Sequence, residues 1–214
     1  MHAADTPYAD LTPDLVLDTL EAFGQGVDGR LLQLNSYENR VFQVGLDDGG
    51  FVVAKFYRPG RWSDAQILEE HTFTQALADA EVPAVPPLTL VATGTPGATL
   101  LGSPPTLGAF RGHRVAVSPR RGGRAPELED PEVLRWLGRF LARLHTVGAE
   151  HPFTHRLRLD VDQIGRGARD WLANHGILPP RPGSSLAECC RPGPRPRSSG
   201  LRTHPRPALP PRTR

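Results

Sequence analysis

A lysine in the middle of an apolar run is a residue that could do chemistry. Lys55 stands in GGFVVAKFYRPGRW, residues 49–62, and it is the only lysine in the chain; the other 24 basic residues are arginine. If Phe51–Tyr57 is a strand, Val53, Lys55 and Tyr57 share one face, and Val52, Ala54 and Phe56 share the other. An unpaired charge in that setting is costly. Lys55 therefore needs a carboxylate, an anionic ligand or a route to water. A compact ammonium on a flexible stem suits a phosphate oxygen in a way that a bulkier, planar guanidinium does not. Glu69 and Glu70 lie in the first two turns of a following helix, and a strand–turn–helix arrangement can return such a carboxylate over the strand. The plain alternative is an edge-strand lysine that reaches solvent.

A strand lysine paired with a glutamate of the next helix is how kinases hold the α- and β-phosphates of ATP. The loop ahead of it bears on this reading. LNSYENRV, residues 34–41, joins two strands where protein kinases carry a Gly-rich phosphate loop. Here Asn35, Ser36 and Asn39 stand in place of glycines. Asparagine tolerates turn geometry, and a serine hydroxyl with nearby N–H groups can meet a phosphate oxygen. A plain polar hairpin loop is the competing interpretation.

These residues need elements to position them. Thr12–Phe23 reads as a first helix, with Thr12 as cap, Pro13 at the first position and Gly24 as stop. Leu31–Leu34, Val41–Leu46 and Phe51–Tyr57 read as strands, the last two joined by an Asp47-Asp48-Gly49-Gly50 hairpin. Ser63–Ala80 reads as a second helix opened by a Ser63/Gln66 capping box. Leu88–Ala92, Thr99–Leu101 and Arg114–Val117 are expected as short strands. A long third helix begins at Asp130-Pro131-Glu132. Its apolar stripe of Val133, Leu134, Leu137, Phe140, Leu141 and Leu144 should stop at Gly148. A fourth helix is expected from about Val161 to His175, with Trp171 and Leu172 facing inward. This order predicts an α+β fold: a kinase-like small lobe of antiparallel sheet plus helix, then the first helices of an α-rich lobe.

Composition divides the chain unevenly. Of 214 residues, 38% are hydrophobic and 23 are proline. Residues 181–214 hold eight arginines, eight prolines and one acid, Glu188, a charge of about +7 on a net +2 chain. The remainder is mildly acidic, so a nucleic-acid groove is not expected in the folded part. Cys189 and Cys190 both lie in the tail, which excludes a cysteine-based metal site elsewhere. No signal peptide or membrane span is read, and a cytoplasmic monomer is the expectation.

Together, LNSYENRVFQ, FVVAKFYRPGRW and AQILEEHTF closely resemble the bacterial stress response kinase A family, Ser/Thr protein kinases with the fold of aminoglycoside phosphotransferases and choline kinases. The likeness continues through EVPAVPPL, GHRVAVSP and LGRFLARLHTVGA and fades after Pro180. It implies ATP and Mg²⁺ as cofactors and a protein serine or threonine as substrate. It implies that Ser36 contacts ATP, that Lys55 binds phosphate with Glu70 as partner and Glu69 as the alternative, and that Val117, Ser118 and Pro119 meet adenine at a hinge. Arg139 and His145 are expected to pack or hydrogen-bond at the lobe junction. The implied domains are residues 1–119 as nucleotide-binding lobe, 120–180 as hinge and start of the second lobe, and 181–214 as a Pro/Arg-rich disordered tail.

Two parts of the family's chemistry are missing. It uses an H-G-D-x-H-x-x-N loop and a later metal-binding aspartate; here His175-Gly176 is followed by Ile177. Asp160 and Asp162 read as a solvated helix start. No catalytic residue or metal ligand is identified, and the chain is expected to be catalytically incomplete. The jump to Pro, Arg, Gly and Ser near residue 180 suggests a frameshift or truncation, and the bare stripe of the third helix suggests marginal folding. The competing function is a non-catalytic nucleotide-binding or scaffold module whose basic tail binds acidic partners.

Overall fold

The computed structural model describes residues 7–175, so the Pro/Arg-rich tail lies outside the described residues. The chain divides into two compact units after Arg156.

The first unit is built on a six-stranded sheet. Its strands are β1 (Val27–Leu34), β2 (Arg40–Leu46), β3 (Phe51–Tyr57), β4 (Thr99–Leu101), β5 (Leu107–Phe110) and β6 (His113–Pro119). Their order across the sheet is β1-β2-β3-β6-β5-β4, with every neighbouring pair antiparallel. The helices are α1 (Pro13–Ala22), α2 (Asp64–Asp79) and α3 (Pro131–Glu150). The class is α+β.

Local chemistry explains most of the boundaries. Thr12 Oγ1 accepts the N–H of Leu15 and opens α1. Ser63 and Gln66 exchange side-chain to backbone bonds at 3.2 and 2.9 Å, a complete capping box for α2. Asp130 caps α3, with Pro131 at its first position. The β2–β3 hairpin turns at Gly49, whose φ of 84° is a left-handed conformation that a side chain would strain.

Alternation on β3 separates two layers. Val52, Ala54 and Phe56 face α1 and pack in the main core with Val16, Leu20, Phe23, Val115 and Val117. Gly108 admits this packing, because a Cβ there would come within 2.5 Å of the Phe23 ring. On the opposite face, Tyr57 and Ala116 pack with Ile67 of α2 and Leu107. Lys55 lies on this second face, opposite Ala116 of β6.

Four expectations about elements change. Residues 88–92 form no strand. Leu88 and Leu90 donate single bonds to Val117 O and Pro105 O, and no ladder forms after the Pro86-Pro87 pair, although Leu90 is buried. β5 is an additional strand, which LGAF does not announce because it is short and carries a glycine. β1 begins four residues before Leu31, at Val27, across a register irregularity. α3 runs past Gly148 to Glu150, held by the packing of Val147 with Leu77 and Val82.

The α3 stripe is only partly covered. Phe140 and Leu144 pack beside Leu77, Val82 and Val147, while Leu134 and Leu141 remain about half exposed. Arg139 and His145 are both exposed and make no side-chain hydrogen bond among the described residues, contrary to expectation. Their neighbour Arg143 makes the junction instead. It donates to the carbonyls of Ala80 and Glu81 at 2.9 Å, satisfying the C-terminal end of α2.

In the second unit, residues 162–167 make a π-helical turn that runs into α4 (Ala168–Asn174). Trp171 is exposed rather than inward-facing and stacks on His175 at 4.3 Å. Among the described residues of this unit there is no second helix to cover it, and Leu172 is half-buried. No helix among the described residues is long and apolar enough to cross a membrane.

Candidate functional site

The site is assembled on the α2-facing side of the sheet. β3 projects Lys55 towards α2, whose N-terminus is fixed by its capping box and by Arg114 of β6. The Arg114 guanidinium donates to Trp62 O at 2.6 Å and to Asp64 at 2.8 Å. With α2 so placed, Glu70 reaches the strand, and Lys55 Nζ lies 2.8 Å from Glu70 Oε1. Lys55 is 31% exposed, enough to reach solvent or a ligand. Its ammonium also stands 4.5 Å from the centre of the Tyr57 ring.

Burial pulls the Lys55 pKa down to about 8, and the nearby Arg156 cation pulls the same way; Glu38 opposes both. The Glu70 carboxylate at 2.8 Å also favours the charged form. Lys55 and Glu70 line a pocket of about 150 Å³ with Thr74, Val85, Ala116 and Ser118.

Glu69 does something different from its neighbour. Its carboxylate accepts the backbone N–H groups of Thr154, His155 and Arg156, and the Thr154 hydroxyl at 3.0 Å. Desolvation works against the charged form, but these bonds outweigh it and hold the Glu69 carboxyl at about 2. The two adjacent acids thus divide the work: Glu70 faces the strand and Glu69 ties down residues 154–156.

The remaining expected site residues are placed as follows. Ser36 is half-buried in the bend between β1 and β2. Asn39 Oδ1 in the same loop accepts Arg58 N–H at 3.3 Å. Val117, Ser118 and Pro119 all belong to β6. The Val117 side chain points into the α1-side core and its carbonyl accepts Leu88 N–H at 2.7 Å. Pro119 has no N–H to offer. Of the three, only Ser118 lines the Lys55 pocket. The structure therefore brings Lys55, Glu70 and Ser118 together and leaves Ser36 on its separate loop.

Sequence reasoning missed several residues here. Glu38 holds Arg61 and accepts Trp62 Nε1–H at 3.4 Å. His71 is buried beneath Lys55, with Nε2 2.8 Å from the Tyr57 hydroxyl and Nδ1 2.9 Å from Thr106 Oγ1. The one available signal for His71 was its position four residues after Ile67, on the buried face of the helix. For Arg156, far along the chain, no signal existed.

Burial, with a further contribution from Lys55, lowers the His71 pKa to about 4. His71 is neutral in the folded protein, while in the unfolded chain it takes up a proton near pH 6.5. Its contribution is complete above about pH 6.5 and is lost as pH falls towards 4, a change on the order of 3 kcal/mol. Glu69 adds its own loss only below about 4.5. Urea midpoints at pH 7 and pH 5 should therefore differ more for the wild type than for His71→Gln; equal differences would remove His71 from the account.

Asp160 Oδ1 accepts Gln163 N–H at 2.8 Å, and Asp162 pairs with Arg166 one helical turn on. No group of three or more His, Cys, Asp or Glu able to hold a metal ion occurs among the described residues.

Comparison with known proteins places this arrangement. Residues 30–182 match the phosphotransferase enzyme family, APH. The chain is 42% identical over 172 residues to stress response kinase A of Salmonella choleraesuis (strain SC-B67), covering 80% of this chain and 49% of that protein. Identity and coverage are the same for the serine/threonine protein kinase RdoA of Salmonella typhimurium (strain LT2). Stress response kinase A of Escherichia coli (strain K12) is 38% identical over 179 residues, covering 84% of this chain and 51% of that protein. The chain thus spans about half the length of the curated relatives it matches.

Two solved structures share the fold. Amicoumacin kinase hAmiN, in complex with AMP-PNP, Ca²⁺ and Ami, aligns with a TM-score of 0.52 at 16% identity, covering 78% of this chain and 54% of that one. A microcompartment-associated aminopropanol kinase aligns with a TM-score of 0.50 at 20% identity, covering 75% and 49%. With a family match that takes in the Lys55 strand, α2, the sheet and α3, this chain belongs to the phosphotransferase enzyme family.

Proposed function

We propose that this chain is the nucleotide-binding part of an ATP-dependent protein kinase that phosphorylates serine or threonine. The observation that carries the reading is the Lys55–Glu70 pair at 2.8 Å, set on the sheet face that opens into the pocket. An ammonium has three donors. Glu70 takes one and orients the others, so that two N–H groups are left for the α- and β-phosphate oxygens. A partly exposed cation with a lowered pKa fits a polyanionic ligand, which would restore its full charge.

Other residues have defined places in this proposal. β5 pairs with β6 only as far as Val115, and beyond it the Val117 carbonyl is taken by the Leu88 N–H, so adenine would lie against the end of β6 beside Ser118, which lines the pocket. Ser36 and its loop would cover the phosphates. The AMP-PNP and Ca²⁺ held by the amicoumacin kinase support the use of nucleotide and a divalent cation by this fold.

The described residues do not fit a Mg²⁺ site: no three of their His, Cys, Asp or Glu side chains gather to hold a metal ion, and Asp160 and Asp162 are engaged with Gln163 and Arg166. The H-G-D-x-H-x-x-N motif is not among the 214 residues. What is proposed for this chain is nucleotide binding. Phosphoryl transfer to a protein hydroxyl, with Mg²⁺, is proposed for the whole protein, in which the protein provides mainly positioning and charge stabilisation. Calorimetric titration of the 214-residue chain with AMP-PNP should show saturable one-to-one binding. No heat at millimolar analogue would overturn the reading.

A further inference from the structure

Glu70 is held at both oxygens. Oε1 takes Lys55, and Oε2 takes a guanidinium N–H of Arg156. Arg156 is fixed in turn: its Nε donates to Gln66 O at 2.9 Å, its guanidinium lies 4.3 Å from the Trp62 ring centre, and its backbone N–H donates to Glu69 at 2.7 Å. Gln66, already part of the α2 cap, donates its side-chain amide to His155 O at 2.9 Å. Residues 154–156 therefore grip one face of α2 through the side chains of Gln66, Glu69 and Glu70.

We propose that Arg156 is a positioning residue for Lys55. By occupying the far oxygen of Glu70 it fixes the carboxylate, presents the near oxygen to Lys55, and locks α2 at the rotation that keeps Glu70 over β3. The inference rests on the nucleotide-binding reading of the same site, and it extends that reading to a residue at the opposite end of the unit. A single Arg156 contact would be an ordinary surface ion pair of little consequence. This one differs because its guanidinium is partly buried, stacked and bonded through two of its nitrogens.

The groups that face Lys55 are Glu70 and His71 of α2, Tyr57 of its own strand, Glu38 of the β1–β2 loop, and Arg156. Removing Arg156 acts on Lys55 in two ways: it deletes one cation, which favours the protonated amine, and it releases the Glu70 carboxylate, which disfavours it. Only the second effect runs through Glu70.

Lys55 being the chain's only lysine makes the test direct. An amine-reactive acylating reagent marks Lys55 and the N-terminus, and peptide mapping separates the two. The rate of Lys55 acylation against pH, in the 214-residue chain, reports the titration of that one amine. The midpoint shift caused by Arg156→Gln should differ by about half a pH unit or more between the wild-type and Glu70→Gln backgrounds, because a residue that acts through Glu70 loses that part of its effect once the carboxylate is gone. Arg156→Gln should also weaken AMP-PNP binding about tenfold, with the far-ultraviolet dichroism unchanged. An equal shift in both backgrounds leaves Arg156 a neighbouring charge only and overturns the inference.

AMP-PNP added during acylation separates this from the function itself. If the analogue protects Lys55 in the wild type and the shift is the same in both backgrounds, only the role of Arg156 fails. If the shift depends on Glu70 but the analogue gives no protection, Arg156 does position Lys55 and the nucleotide reading fails.

Discussion

Lys55→Ala is expected to abolish measurable AMP-PNP binding while the chain stays folded. The loss follows from removing the one ammonium in the pocket. Truncating one side of a partly buried, hydrogen-bonded charge contact costs about 2–5 kcal/mol, at least roughly thirtyfold in affinity. Folding is spared for a specific reason. Glu70 keeps Arg156 on its other oxygen, so the substitution strands no carboxylate. The lysine is also desolvated in the folded state, so its removal relieves part of its own burial cost. Lys55→Arg should recover little of the binding, because a planar guanidinium does not present the compact, three-donor charge that an ammonium offers to Glu70 and phosphate at once. Calorimetric titration and a thermal melt of each variant check both halves. Wild-type affinity in Lys55→Ala would sink the phosphate role and favour a scaffold whose function does not involve this pocket.

Phe56→Ala should have the largest effect on stability, about 3–5 kcal/mol. Phe56 is completely buried, meets Phe42 edge-on at 5.9 Å and lies 6.4 Å from the His113 ring. It occupies the central strand of the sheet, next to Lys55 but on the opposite face. A cavity there removes packing shared by α1, β2 and β6. Set against the roughly 5–15 kcal/mol of an ordinary domain, this leaves a protein close to unfolding. Lys55 would lose its strand with it, so AMP-PNP binding should fall in parallel with the folded fraction. Tyr37→Ala supplies the contrast. Tyr37 is fully exposed in the β1–β2 loop, and its removal should shift the urea midpoint by no more than about 0.5 kcal/mol in equivalent free energy. A Phe56→Ala chain as stable as Tyr37→Ala would contradict the layer assignment.

Elements with a local cause are legible in the amino-acid sequence. The Thr12, Ser63/Gln66 and Asp130 caps use side chains within three residues of the groups they satisfy. The hairpin at residues 47–50 and the alternation of β3 are local in the same sense. They place Lys55 on one face and Phe56 on the other without reference to the rest of the chain. The expected strand at residues 88–92 fails because alternating apolar residues show only that a segment is extended and half-buried. Whether it joins a ladder depends on a partner edge, and Leu88 and Leu90 find only single acceptors there. Arg139 and His145 fail in the complementary way. Their position on a long helix is legible, but which arginine meets the end of α2 depends on how the two helices pack.

Residue identities and short windows suffice to establish that Lys55 is a solitary ammonium on a strand, that two acids follow on a capped helix, and that a family likeness covers most of the chain. None of these needs contacts between distant segments. The choice of acid for the lysine does. Consecutive helical residues point about 100° apart, so the rotation of α2 on the sheet chooses Glu70 for Lys55 and turns Glu69 towards residues 154–156. Packing likewise brings in Arg156 to close the arrangement from 86 residues away. That contact has no sequence period, because its geometry arises from chain path and packing rather than from any repeat of the backbone.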